Sequence, residues 1–376
     1  MEKLRMGMVG GGPGAFIGPV HRMAAELDGR IEMVAGAFSQ SAERSRAAGA
    51  AFGIDPARAY AGYREMLAAE RQRPDAIDFV VIATPNHLHL PVAQAALEAG
   101  FAVVSDKPAT ATYEEVLQLE SVVKKAGLPY ALTHTYAGYA LVREARELCA
   151  SGRLGRIRKV AVEYLQGWLS QPLEASGQKQ AAWRSDPVLN GPGGCIGDIG
   201  THAFHLVEYV TGLRVTGLNA TLRTVVEGRT LDDDCNAFLR LENGATGTLM
   251  ASQVATGEGN GLRLRIYGER AALDWRQEDP NRLMVRSLDG PEEIYHAAGG
   301  YLGASARAVT RLPGGHPEGY IEAFAVLYRE FADSLLAGGQ RAPLPATLPG
   351  IEAGVRGMRF IERAIASNRA AAWVEF

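Results

Sequence analysis

The N-terminal third of this chain alternates short apolar runs with amphipathic stretches, and nothing else in the sequence constrains the fold as strongly. Met6–Val9, Ile31–Phe38, Ile77–Ala83, Phe101–Ser105 and Pro129–Thr133 read as strands. Pro19–Leu27, Ala42–Phe52, Leu90–Ala99 and Tyr113–Ala126 read as the helices between them. The Ile77–Ala83 run is apolar enough to be buried on both faces, as in a parallel sheet covered on both sides. Thr112-Tyr113-Glu114-Glu115 has the spacing of a capping box, and Gly127 follows the last periodic residue. Strand–helix alternation of this kind implies a parallel sheet with crossover helices.

Beyond residue 140 the pattern changes. A helix over Leu141–Ala150 leads into Ile157–Trp168, rich in β-branched and aromatic residues. Leu218–Val226, Cys235–Leu241, Ala245–Val254, Leu262–Ile266 and Leu283–Val285 follow with turns and few helices. Asn243-Gly244 between two of these runs is a hairpin signal. An antiparallel sheet is expected here, closed by helices over Glu318–Leu336 and Thr347–Ala366. The fold class is therefore α/β, and 376 residues suggest two domains at about 150 residues each.

Composition narrows the function classes. Lys+Arg 39 against Asp+Glu 42 gives a net charge of −3 with no basic run, so nucleic acid and acidic membrane surfaces are not expected partners. No window approaches the ~18 apolar residues of a membrane span. Cys149, Cys195 and Cys235 form no CxxC, which argues against a disulfide framework and against a structural metal site. The opening MEKLRMGMVGGG has no signal-peptide pattern, and a cytoplasmic protein is expected.

The first chemistry-bearing motif is Val9-Gly10-Gly11-Gly12 after the first strand. Glycines let a backbone approach a pyrophosphate, and the next helix offers N–H groups and a positive dipole end. Gly10 and Gly12 fit the dinucleotide fingerprint. Its third position falls on Ala15 or, after a longer loop, on Gly18, with Phe16 and Ile17 carrying the loop into the helix. An acid normally follows the second strand to hold the ribose; here the chain reads Phe38-Ser39-Gln40-Ser41, with Arg44 a turn later. Ser39 and Arg44 suit a 2′-phosphate, which leans the expected cofactor toward NADP and leaves NAD open.

Three further motifs occur in order: Ala83-Thr84-Pro85-Asn86-His87-Leu88-His89, Asp106-Lys107-Pro108 and Gly197-Asp198-Ile199-Gly200-Thr201-His202. With them the chain resembles the Gfo/Idh/MocA oxidoreductases, relatives of glucose–fructose oxidoreductase and inositol 2-dehydrogenase. The resemblance implies a Rossmann NAD(P)-binding domain over 1–135. It also implies a substrate-binding α/β domain over 136–376 with a large, mostly antiparallel open sheet that makes homodimers or homotetramers. Lys107 matches the lysine of the family's Glu-Lys-Pro motif, with Asp106 in place of the Glu, and both are expected near the cofactor. Asp198 and His202 match its catalytic Asp and His. Thr84, Pro85, Asn86 and His89 match the loop on the nicotinamide side. The reaction implied is oxidation of a sugar or cyclitol hydroxyl, or the reverse reduction.

The residue types suit that chemistry. Hydride removal from a secondary alcohol requires a base near working pH, and His202 is the candidate. Asp198, four residues earlier, lies on the same helix face. Lys107, at the carboxyl end of a parallel strand, is placed to donate to the reacting oxygen, and Pro108 restricts its backbone. Tyr136, Trp183, Arg184 and His316 are expected to contact a carbohydrate substrate along with Lys107, Asp198 and His202. Tyr139, Arg143 and Trp168 are weaker candidates, and His205 is expected to pack. Ser170–Gln180 reads as a mobile loop near the substrate. Two alternatives keep the cofactor: glycoside cleavage through transient C3 oxidation, and a dinucleotide-sensing regulator, against which Lys107, Asp198 and His202 together speak.

Overall fold

The computed structural model describes residues 3–376. The chain forms two compact units. The first holds the described residues up to His134 together with Phe324–Val355; the second holds Thr135–Ala323 with Arg356–Phe376.

In the first unit β1 (Leu4–Gly10), α1 (Ile17–Glu26), β2 (Ile31–Ala37), α2 (Ala42–Ala51), α3 (Tyr63–Glu70), β3 (Phe79–Ala83), α4 (His89–Glu98), β4 (Ala102–Ser105), α5 (Tyr113–Ala126) and β5 (Tyr130–Leu132) follow in turn. The sheet order is β2-β1-β3-β4-β5, and every pairing is parallel. Phe79, Val80, Val81 and Ile82 are each 0% exposed. Burying such a side chain is worth about 1.5–3 kcal/mol, which is why a continuous apolar run makes the central strand. The order reverses between β1 and β3, so ligands are expected beyond the carboxyl ends of these strands. The capping box forms: Thr112 Oγ1 accepts from the Glu115 amide at 3.2 Å and Glu115 Oε2 from the Thr112 amide at 3.1 Å. Gly127 closes α5 in the left-handed region.

Two features of this unit were not expected. The inward face of α3 is Met66, Leu67 and Glu70, so its periodicity is partly polar. Glu70 accepts from Arg58 Nε at 3.0 Å, the Tyr60 hydroxyl at 2.7 Å and the Ile77 amide at 3.2 Å. The division at 135/136 also assigns Phe324–Val355 to the second domain, whereas that segment groups with the first. Phe331 packs edge-on against Phe79 at 5.1 Å between centroids, and the Leu132 amide donates to the Pro349 carbonyl at 2.8 Å.

The second unit is built from α6 (Ala140–Ala150), β6 (Ile157–Leu165), α7 (Lys179–Arg184), α8 (Pro187–Asn190) and α9 (Thr201–Thr211), then β7 (Val215–Arg223), β8 (Asp234–Leu241), β9 (Thr246–Ser252), β10 (Gly261–Gly268), β11 (Ala271–Arg276), β12 (Arg282–Ser287), β13 (Glu292–His296) and α10 (Ala304–Ala308). Helices α11 (Tyr320–Gly338) and α12 (Ile351–Ala370) each belong partly to both units, and β14 (Val374–Glu375) ends the chain. The nine strands run β13-β12-β11-β10-β6-β9-β8-β7-β14, antiparallel except where β6 pairs with β9. The Asn243-Gly244 turn joins β8 to β9, with Gly244 at φ +86° and the Leu241 amide on the Ala245 carbonyl at 2.9 Å. Burial alternates along the strands. Val160, Val162 and Tyr164 point to the buried face, while Phe238, Met250 and Tyr267 lie exposed on the other. Strand β13 escaped the sequence reading because Glu292-Glu293-Ile294-Tyr295-His296 is a half-exposed edge with little apolar signal. Among the described residues no helix is long and apolar enough to cross a membrane.

Candidate active site

Two clusters of chemistry-bearing side chains stand out, one in each unit. In the first, the loop from β1 to α1 is shaped by close backbone approaches. Gly10 and Gly11 have φ +84° and +69°. The Gly11 amide donates to the Ala83 carbonyl at 3.0 Å. A Cβ on Gly12 would lie 2.5 Å from the Phe38 carbonyl oxygen. A Cβ on Gly18 would lie 2.2 Å from the Gly11 carbonyl oxygen. Gly18, rather than Ala15, is thus the glycine that lets helix and strand meet, the part the third fingerprint glycine plays. Ala15 is half-buried in the loop, its amide donating to the Gly12 carbonyl, and Phe16 is exposed. Phe16 occupies the N-cap of α1, whose first residue is Ile17, with no side-chain cap. The first N–H groups of that helix therefore remain available to an anion.

Beyond β2, the Ser39 hydroxyl accepts from the Ser41 amide at 3.2 Å, Ser41 caps α2, and Arg44 is exposed on that helix. Beyond β3, Thr84 and Pro85 lead into a single turn starting at buried Asn86. Thr84 Oγ1 is buried with no hydrogen-bond partner among the described residues. An orphaned hydroxyl beside a glycine cradle fits the polar edge of a bound dinucleotide. His89 links the strand ends: Nδ1 lies 2.7 Å from the Pro108 carbonyl and Nε2 2.9 Å from that of Thr84. Neutral imidazole has one N–H, so it donates to one of them at a time. Burial holds the His89 pKa below the ordinary histidine value, against the opposing pull of Asp106. Beyond β4, Asp106 Oδ1 accepts from the Lys107 amide at 2.9 Å and from Thr133 Oγ1 at 3.1 Å, fixing the backbone from which half-buried Lys107 projects. His21, unnoticed in the sequence, lies buried behind this edge with Nδ1 2.6 Å from the Tyr328 hydroxyl; burial drives its pKa down to about 4.

In the second unit Asp198 lies in a wide five-residue turn, Ile196–Gly200, that runs into α9, and His202 occupies the first turn of that helix. The two do begin a helix, but through a π turn, a local irregularity common at functional sites. Asp198 Oδ2 accepts from Gln253 Nε2 at 2.8 Å and Arg184 Nε at 3.3 Å. Arg184 in turn donates to Gln180 Oε1 at 2.6 Å and lies over the Trp183 ring. His202 is 9% exposed and meets the Tyr136 ring at 4.8 Å, nearly perpendicular. The Tyr136 hydroxyl bonds that of Tyr164. Tyr164 donates to Asn260 Oδ1 at 2.7 Å, as does Gln166 Nε2 at 2.7 Å, and Trp168 donates to Gln166 Oε1 at 3.0 Å. Burial raises the pKa of both tyrosines, so their hydroxyls stay protonated.

Asp198, His202, Tyr136, Trp183 and Arg184 therefore share one neighbourhood. Among the described residues no hydrogen bond joins His316 to it: His316 is exposed before α11, its Nδ1 3.2 Å from the Pro313 carbonyl. Arg143 is buried with Nε on the Ala137 carbonyl at 3.1 Å, a packing role. His205 stacks on Tyr209, and burial pushes its pKa down to about 3, as suits a packing residue. The Ser170–Gln180 loop is pinned by Arg229, which donates to Glu174 Oε1 at 2.9 Å and to the Leu169 carbonyl at 3.1 Å. Tyr164, Gln166, Gln253 and Asn260 were missed. They are ordinary polar residues, Tyr164 and Gln166 at the end of β6, Gln253 just after β9 and Asn260 just before β10, and no local spacing marks them.

Comparison with known proteins identifies both units. Residues 4–134 match the family model for the oxidoreductase family, NAD-binding Rossmann fold, and residues 142–274 the model for the GFO/IDH/MocA C-terminal domain. The uncharacterised oxidoreductase YfiI of Bacillus subtilis (strain 168) is 33% identical over 100% of this chain and 97% of its own length. Levoglucosan dehydrogenase of Pseudarthrobacter phenanthrenivorans is 28% identical over 76% of each chain. An inositol dehydrogenase homologue from Azotobacter vinelandii, solved with NAD+, superposes with a TM-score of 0.95 at 37% identity, covering 100% of this chain and 98% of that one. The same homologue with NADH and myo-inositol superposes with a TM-score of 0.92 at 36% identity and the same coverage.

Proposed function

Since the chain belongs to the Gfo/Idh/MocA oxidoreductase family and carries its NAD-binding Rossmann unit, we propose that it oxidises a secondary hydroxyl of an uncharged sugar or cyclitol, or reduces the matching ketone. The observation that carries this reading is the Asp198–His202 turn, held by Gln253 and Arg184 and faced by Tyr136. The side chains bonded around it, Gln166, Gln180, Gln253 and Asn260, are neutral donors and acceptors suited to hydroxyl groups. Trp168 and Trp183 offer flat apolar faces to a ring. That the Azotobacter homologue was solved with myo-inositol, and another relative is a levoglucosan dehydrogenase, supports the same class.

Gly10, Gly12, Gly18, Thr84 and the amide end of α1 are proposed to hold the dinucleotide, whose nicotinamide supplies the hydride acceptor. His202 takes the hydroxyl proton. Asp198, its charge balanced by Arg184, hydrogen-bonds a substrate hydroxyl and keeps the imidazole oriented. The Lys107 ammonium donates to the reacting oxygen and so lowers the alcohol's pKa. NAD is the cofactor of the family model and of the solved homologue, and Ser39 and Arg44 leave room for NADP as well. The exposed Phe238, Met250 and Tyr267 on the open sheet face are proposed to bury against a second copy; a strictly monomeric mass by light scattering would contradict this.

A panel of inositols, monosaccharides, anhydrosugars and glycosides, each offered with NAD+ and with NADP+, tests the reading through nicotinamide absorbance. Accumulation of reduced cofactor with a neutral polyol is the expected result. Free sugar released from a glycoside without reduced cofactor would overturn net oxidation.

A further inference from the structure

Asp232 belongs to none of the motifs above, yet it touches the turn that carries Asp198 at three consecutive peptides. Its Oδ1 accepts from the Gly194 amide at 2.7 Å and its Oδ2 from the Ile196 amide at 2.8 Å, while its main-chain carbonyl accepts from the Cys195 amide at 2.7 Å. A Cβ on Gly194 would lie 2.1 Å from that carbonyl oxygen, so the approach depends on glycine. The anchored Gly194 carbonyl then accepts from the Asp198 amide at 2.9 Å. From the other side, the Asp233 carbonyl accepts from the Gln253 amide at 2.9 Å, and Gln253 is the residue that holds the Asp198 carboxylate. One short acidic segment therefore fixes both the backbone beneath Asp198 and the side chain in front of it.

We propose that Asp232 is a positioning residue for the reaction, its ionised carboxylate holding the Gly194–Ile196 turn in the shape that presents Asp198 and His202. This rests on the reading of those two as reacting groups. A carboxylate accepts at both oxygens; a carboxylic acid replaces one acceptor with an O–H, so one of the two buried amides loses its partner on protonation. The surroundings make that proton available near neutral pH. Burial raises the Asp232 pKa to about 6, the two amides pulling it back and Asp233 adding to the rise.

Other ionisable groups stand nearby, and α12, whose Phe360 and Ile361 pack on this turn, carries Arg359, Glu362 and Arg363. Cys195 on the same turn and Cys235 on β8 are held neutral, their pKa values pushed up by burial and then by the Asp232 charge. Asp233 is paired with Arg229 at 2.9 Å, and Asp198 with Arg184. Asp234 begins β8, and His202 is the remaining titratable group on the stretch from Cys195 to the first turn of α9.

The sign of the linked stability follows. Because the folded pKa lies above the ordinary aspartate value of 3.8, the folded protein holds the extra proton between 3.8 and about 6. The Asp232 contribution is therefore most favourable below that window and is lost as pH rises through it. Asp232→Asn, which cannot ionise, should gain in Tm relative to the unmodified protein over the same interval.

The test is an amide titration of the full-length protein, uniformly labelled with nitrogen-15 and deuterium, between about pH 5 and 8. The Gly194 and Ile196 amide protons should move downfield with one shared midpoint near 6, and the Gln253 side-chain amide should follow it. In Asp232→Asn all three should lose that midpoint. Flat Gly194 and Ile196 signals, or an unchanged midpoint in the variant, overturn the ionisation. A titrating turn with an indifferent Gln253 overturns the positioning. None of this needs turnover. Where a polyol is turned over, Asp232→Asn should lower kcat about 10- to 100-fold at pH 8, leave dinucleotide affinity unchanged, and reduce the acid limb from two protons to one. Absence of turnover with every polyol counts against the reaction and leaves the titration result standing.

Discussion

Lys107→Ala should cut turnover by about 10²–10³-fold while dinucleotide affinity stays within about twofold, the range expected when one donor to a reacting oxygen is removed. The asymmetry follows from how the residue is held. Its backbone is fixed by groups the substitution leaves in place: the Lys107 amide on Asp106 Oδ1, and the Pro108 carbonyl facing His89. The dinucleotide cradle is made by other residues, above all Gly10, Gly12 and Gly18, whose approaches to neighbouring backbone do not involve the lysine. Only the ammonium and its stem disappear. Lys107→Arg should recover part of the rate, because the charge returns with a different shape. Turnover and dinucleotide titration measured on the same preparation decide the matter, and unchanged turnover would remove Lys107 from the reacting groups.

His202→Asn should lower kcat by about 10²–10⁴-fold, the usual worth of a positioned general base. The more telling change is in the pH profile. With the imidazole present, kcat/KM should fall on the acid side as His202 takes a proton, and the variant should lack that component. Asparagine keeps a polar group against the Tyr136 ring and spares the buried surroundings a full cavity. Added imidazole restoring part of the rate would strengthen the assignment. An acid limb that survives intact would assign the base to another group.

Much of the architecture is legible in the sequence. Continuous apolar runs became β1 to β5 because a parallel sheet buries both faces, and Asn243-Gly244 marked a hairpin because only a few residues adopt its turn cheaply. Helix α3 was not legible, since its inward face ends on Glu70 and depends on Arg58 and Tyr60, which lie outside the helix. The cofactor loop was visible in its glycines, yet the choice between Ala15 and Gly18 needed the distance from Gly18 to the Gly11 carbonyl. Asp198 and His202, the proposed reacting pair, are marked in the sequence by their motif. The residues around them are not, because Gln166, Gln253, Asn260 and Asp232 meet only when distant strands pair. His316, a histidine beside glycines before a helix, is exposed, and its hydrogen bond to the Pro313 carbonyl is local.

Direct transfer of hydrogen from substrate carbon to the nicotinamide is the central claim, and isotope tracing tests it. The protein is incubated with NAD+ and with polyols, myo-inositol first, carrying deuterium on their ring carbons, and the recovered dinucleotide is weighed by mass spectrometry. The expected result is reduced nicotinamide carrying one deuterium for each ketone formed. Polyol or glycoside consumed with no deuterium retained in reduced cofactor would contradict net hydride transfer.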